Sequence, residues 1–148
     1  MISLTHVLVP IDFSDASNAA TDTAIDLARA FDGRVTLLSV FEVSLYLYSG
    51  GPFMPIVDTT KELENAAREA TGTRLAEVKK RYANVDAILR CGHPWEEIIS
   101  AAREQNADLI VMGTHGRRGL PHALLGSVAE RVVRMSPVPV LTVRAPKP

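Results

Sequence analysis

Apolar and polar positions along the chain alternate between two kinds of stretch. Short apolar runs rich in β-branched residues recur: THVLVPI at 5–11, RVTLLSVF at 34–41, VDAILRCG at 85–92, ADLIVMG at 107–113 and VPVLTVR at 138–144. Each has the length and composition of a strand buried on both faces. Between them lie longer stretches with helical spacing. Ala16, Ala19, Ala20, Thr23, Ala24, Leu27, Ala28 and Phe31 fall on one face of a first helix, which Asp12, Ser14 or Asp15 can cap and Gly33 stops. A second helix, capped by Asp58, carries Leu63, Ala66, Ala67, Ala70, Leu75, Val78 and Tyr82, with Gly72 weakening its middle. A third begins at Pro94 behind a His93 cap and turns Trp95, Ile98, Ile99 and Ala102 inward. A fourth offers Val128, Ala129, Val132 and Val133.

Strands alternating with helices predict an α/β fold: an open parallel sheet of five strands with helices on both faces, because crossovers are right-handed. No linker or repeat divides the chain, so residues 1–148 read as a single domain. Ligands of such sheets bind beyond the carboxyl ends of the strands, where strand order reverses. The stretch 42–57, with Tyr46, Tyr48, Phe53 and Met54 around a Gly-Gly-Pro turn, has no clear period and reads as a long loop, either folded back on the core or covering a site.

Composition narrows the function. A formal net charge of −1 gives no reason to expect a nucleic-acid or anionic-membrane surface. No apolar run approaches the roughly 18 residues that span a bilayer, and the first residues do not resemble a signal peptide. Cys91 is the only cysteine, which suits a reducing compartment, and its place at a strand end suggests packing. A cytoplasmic protein is expected.

The remaining chemistry gathers in GTHGRRGLPHALLGS, between the fourth strand and the fourth helix. It is neither a P-loop, since no Gly-Lys pair occurs, nor the G-x-G-x-x-G dinucleotide fingerprint. Gly113 and Gly116 are followed, nine residues on, by Gly126-Ser127 opening a helix. Glycines let backbone N–H groups approach an anion, and a helix start adds the free donors of Val128 and Ala129 beside the Ser127 hydroxyl. That is a site for a di- or triphosphate.

This spacing, G-x2-G-x9-G-[ST], together with HVLVPIDFSDAS, RCGHPWEEII and VAERVVRMSPVPVLTV, resembles the universal stress protein family in its ATP-binding branch along the whole chain. The resemblance implies a Rossmann-like fold of the adenine nucleotide alpha hydrolase kind. It also implies that Pro10, Ile11 and Asp12 contact adenine and ribose, and that Val40 meets the adenine edge with its backbone. Met112, Gly113 and Gly116 would border ribose and the first phosphates. Gly126, Ser127, Val128 and Ala129 would hold the phosphates, with Mg²⁺ or Mn²⁺ riding on them. It further implies a homodimer through the last strand at 138–144, where Pro139 suits an edge.

Arg117 and Arg118 are solvated charges or phosphate clamps, while His115 and His122, without a metal-ligand partner at suitable spacing, read as polar surface. Near the phosphates Ser127, the arginines and the two histidines offer no strong candidate for activating water, and no G-x-S-x-G elbow or Cys/His pair occurs. The expectation is an ATP-binding, nucleotide-dependent sensor in the stress response, with at most slow hydrolysis or autophosphorylation. The alternatives are a phosphotransferase using the same pocket and a nucleotide-free interaction module.

Overall fold

A computed structural model describes residues 3–43, 56–115 and 125–147, the backbone alone over 56–59. The elements are β1 (His6–Ile11), α1 (Asp15–Phe31), β2 (Arg34–Phe41), α2 (Ile56–Lys79), β3 (Val85–Cys91), α3 (Pro94–Glu104), β4 (Leu109–Gly113), α4 (Ser127–Met135) and β5 (Val140–Val143). All pairings are parallel and the order is β3-β2-β1-β4-β5, the expected five-stranded sheet. The order reverses between β1 and β4, so the chain's switch point lies at their carboxyl ends.

Alternation along β1 divides the core. Val7, Val9 and Ile11 pack with Val35, Leu37, the Ala20–Ala24–Ala28 stripe of α1 and Val78 of α2. Leu8 faces the other way, with Leu38, Ile110, Met112, Ile98, Ala102, Ala129 and Val132 under α3 and α4. Fully burying one such leucine or valine contributes about 1.5–3 kcal/mol, so this double-sided strand anchors both layers.

Several helix faces differ from the sequence pattern. In α1 the buried residues are Ala16, Ser17, Ala20, Thr21, Ala24, Ile25 and Ala28, whereas Phe31 is exposed. The face turns toward two hydroxyls because each can bond its own helix: Ser17 Oγ donates to Ser14 O and Thr21 Oγ1 to Ser17 O. Helix α2 starts at Ile56, so Asp58 is its third residue and not its cap. Leu63 and Ala66 in its first half are exposed, while Leu75, Val78 and Tyr82 pack. Val133 on α4 is also exposed, and Cys91, expected to pack, is exposed where β3 runs out at the sheet edge. Most of the 42–57 loop lies outside the described residues.

Among the described residues β5 is an edge strand, paired with β4 alone, and Pro139 stands just before it. Among the described residues no helix is long and apolar enough to cross a membrane.

Candidate functional site

Pro10 opens the crevice at the switch point. β1 pairs with β2 as far as Ile11–Ser39, but with β4 only through Val7–Leu109 and Leu8–Ile110. Pro10 brings no N–H to a ladder, and past Leu8 the two central strands part.

Asp12 follows at the mouth of β1. Its Oδ1 accepts from Ser14 N (3.0 Å) and Ser14 Oγ (2.5 Å), and its own N–H donates to Ser17 Oγ (3.4 Å). Ser14, not Asp12, caps α1, its hydroxyl accepting from Ser17 N at 3.2 Å. The turn is tight enough to hold Phe13 at a φ of 65°, a left-handed conformation rare for an aromatic residue. Asp12 thus sits in a turn locked by its neighbours.

Val40 extends β2 one residue past Ser39, the partner of Ile11, which brings it level with Asp12 along the sheet. Met112 is buried beneath α3 and α4, and Gly113 ends β4. A Cβ on Gly113 would stand 2.8 Å from Ala16 Cβ and 2.9 Å from Ala16 C. The start of α1 therefore lies directly on the end of β4, and this glycine is required by protein packing whatever else it contacts.

Thr114 then ties the site together. Its N–H donates to Val143 O (2.9 Å), and its carbonyl accepts from Gly126 N (2.7 Å). The second bond returns the chain to the mouth of β4 just where α4 begins. Sequence reasoning passed over Thr114 because its contribution is made by the backbone, which carries no residue-type signal. The Thr114 hydroxyl is also bonded to His115 Nδ1 (3.0 Å), while His115 Nε2 is buried with no hydrogen-bond partner among the described residues. His115, expected at the polar surface, is half-buried.

Gly126 is the N-cap of α4 and supplies no side-chain cap. The first N–H groups of a helix have no partner within it, and among the described residues no side chain caps the donors of Ser127, Val128 and Ala129. Ser127 is exposed and Ala129 buried. Gly116, Arg117, Arg118 and His122 lie outside the described residues. The structure thus brings Pro10, Ile11, Asp12, Val40, Gly113 and the start of α4 to one end of the sheet.

Two shallow grooves occur among the described residues: about 450 Å³ along Trp95, Ile99 and Met135, and about 430 Å³ along Phe13, Ala70 and Arg74, the second bordering the turn after β1. His93 holds the N-cap position of α3, yet its side chain makes no cap bond and instead meets Glu42, Nδ1 to Oε1, at 3.1 Å. Among the described residues no cluster of His, Cys, Asp or Glu is suited to hold a metal ion.

A sequence model described as "Universal stress protein family" matches residues 4–144. Universal stress protein MJ0531 of Methanocaldococcus jannaschii is 36% identical over 145 residues, covering 95% of this chain and 82% of that protein. The solved structure of hypothetical protein MJ0577, a universal stress protein of the same organism, superposes with a TM-score of 0.79 at 30% identity and covers 99% of both chains. A universal stress protein solved in complex with cAMP shares the fold, with a TM-score of 0.70 at 23% identity over 97% of this chain and 99% of that one.

Proposed function

The chain belongs to the universal stress protein family, and from that premise we propose that it binds an adenine nucleotide, ATP as resident ligand, at the mouths of β1 and β4. Its role on this reading is a nucleotide-dependent sensor in the cytoplasm. The observation that carries the reading is the start of α4: a glycine N-cap with no side-chain bond, tethered to β4 by Gly126 N–H on Thr114 O. A helix start of this kind favours negative charge and offers N–H groups to it. The buried, unpartnered Nε2 of His115 next to it fits an incoming acceptor as well.

In this reading Pro10, Ile11 and Asp12 contact the adenosine, the Asp12 carboxylate accepting from ribose hydroxyls while Ser14 holds it in place. The Val40 backbone lies at the adenine edge. Met112, Gly113 and Gly116 border ribose and the first phosphates. The N–H groups of Ser127, Val128 and Ala129 and the Ser127 hydroxyl donate to phosphate oxygens. Mg²⁺ or Mn²⁺ would be carried by the phosphates, which need few protein ligands. Bound nucleotide acts by favouring one conformation of the surface over another. Support for adenine comes from the family, including the relative solved with cAMP. The free edge of β5 supports a homodimer through that strand, which would cover it.

The test is to purify the protein without added nucleotide, identify what acid releases from it, and titrate the stripped protein with Mg-ATP by calorimetry. Stoichiometric release or saturable binding, abolished by Gly126→Val with the fold intact, is the expected result. No release and no binding would retire the nucleotide reading.

A further inference from the structure

At the opposite, amino-terminal edge of the sheet, a buried histidine has both ring nitrogens engaged. His6 on β1 is 2% exposed. Its Nδ1 lies 2.9 Å from the Gln105 carbonyl oxygen and its Nε2 2.8 Å from Thr36 Oγ1. Thr36, fully buried on β2, places the same Oγ1 2.6 Å from Asp86 Oδ1 on β3. These contacts cross three adjacent strands and reach the C-cap of α3.

Hydrogens can be counted along this chain. A carbonyl oxygen only accepts, so Nδ1 carries a hydrogen. The Thr36 hydroxyl has one hydrogen and an ionised carboxylate has none. Three contacts need three hydrogens, whereas a neutral imidazole, a hydroxyl and a carboxylate supply two. We infer that His6, Thr36 and Asp86 form a binding site for one proton, fully hydrogen-bonded when the proton is held and one bond short when it is released. With the proton held, Nδ1–H donates to Gln105 O, Nε2–H to Thr36 Oγ1, and the Thr36 O–H to Asp86. When Nε2 gives its proton to water, the Thr36 O–H turns to donate to Nε2. Thr36 Oγ1 and Asp86 Oδ1 then face each other as two acceptors. The Asp86 carboxylate, 58% exposed, swings toward solvent, and β3 loses its side-chain tie to β1.

The charges around the site set where it fills. Burial, foremost, and Arg34 pull the imidazole below its ordinary range, against the Gln105 carbonyl, Asp86 and Asp108. Arg34 on β2 donates Nη2–H to Gln105 O (3.2 Å) and stands 4.0 Å from Asp86 Oδ2. Asp108, ahead of β4, accepts from the His6 backbone N–H (2.9 Å). The folded protein therefore takes the proton less readily than the unfolded chain. The neutral form contributes stability above the ordinary histidine range, and this is lost as pH falls through the lower folded value. Acid closes the chain locally while lowering global stability.

The test is an imidazole ¹⁵N titration of the full chain by NMR, with the His6 signal identified by its absence in His6→Gln. In Asp86→Asn the new amide donates to Thr36 Oγ1 and supplies the missing hydrogen, so the neutral imidazole becomes fully bonded. The His6 midpoint should fall by at least about one pH unit, tenfold in proton affinity. In a Thr36→Val background the same change at position 86 should move it by less than half as much, the remainder being the direct pull of the Asp86 charge. An unchanged midpoint in Asp86→Asn overturns the site. An equal drop without the Thr36 hydroxyl overturns the relay, because the carboxylate would then act through space. A His6 that stays neutral until the protein unfolds overturns both.

Discussion

The two ends of the sheet treat their polar groups in opposite ways. At the amino-terminal end, one oxygen of Asp108 accepts from Thr5 N, Thr5 Oγ1 and His6 N at 2.8–2.9 Å. Tyr82 Oη and Asn84 Nδ2 both donate to Gly33 O, and both nitrogens of His6 are engaged. At the carboxyl end, α4 starts on an uncapped glycine and His115 Nε2 has no partner among the described residues. Even the two helix starts there differ: α1 is capped by Ser14, which Asp12 holds, whereas α4 has no side-chain cap among the described residues. Unsatisfied donors in a folded protein cost free energy, so an end that keeps them is suited to an incoming acceptor. One end holds the sheet, and the other is where the proposed nucleotide site lies.

Closing the open helix start should have the largest effect. Gly126→Asp gives α4 a side-chain cap, as the Ser14 hydroxyl gives α1, and should raise stability by only a few tenths of a kcal/mol. Mg-ATP affinity should fall at least about a hundredfold, about 2.7 kcal/mol, because an anion already occupies the donors. Calorimetry that finds unchanged affinity would break the contrast.

Opening the closed end comes next. Asp108→Ala leaves three donors without their acceptor and should cost about 2 kcal/mol in urea denaturation, toward the middle of the range for such losses. Nucleotide affinity should stay within about twofold if the two ends act independently. Removing the cap of α1 with Ser14→Ala should cost about 1 kcal/mol. It should also weaken ATP binding modestly, since Ser14 holds the Asp12 carboxylate; no change in binding would place Asp12 outside the site.

The smallest effect is acid sensitivity at the closed end. The Thr5 hydroxyl, with the Thr5 and His6 backbone N–H groups and His6 itself, holds the Asp108 carboxyl below its ordinary range against the opposing pull of desolvation. Its stabilisation is therefore complete above the ordinary carboxylate range and is lost as pH falls through the lower folded value. Thermal melts from neutral pH to about pH 3 should show a shallower acid loss in Asp108→Asn than in the native chain.

Much of this was readable from residue order. Apolar runs flanked by turn residues located all five strands, and Gly126-Ser127 after the glycine loop marked a helix start that the structure leaves uncapped. The reading failed where tertiary contact chooses between neighbouring faces. Phe31 and Val133 have the apolarity of core residues but lie on helix sides the sheet does not cover, while Ser17 and Thr21 are buried because their hydroxyls bond their own backbone. Gly113 shows the same limit from the other direction. Its motif suggests a ligand, yet the atoms a Cβ would strike belong to Ala16 of α1.

By itself, then, the sequence determined the order and kind of the elements, the α/β class and the helix start at Gly126-Ser127, since periodicity and glycine spacing are local properties of the chain. Strand order, the parting of β1 from β4 past Leu8, the tether from Gly126 to Thr114 and the proton chain from His6 to Asp86 were decided only by the tertiary structure. Each joins residues far apart in sequence, often through backbone atoms common to every residue, and the pattern of side chains holds no record of such pairings.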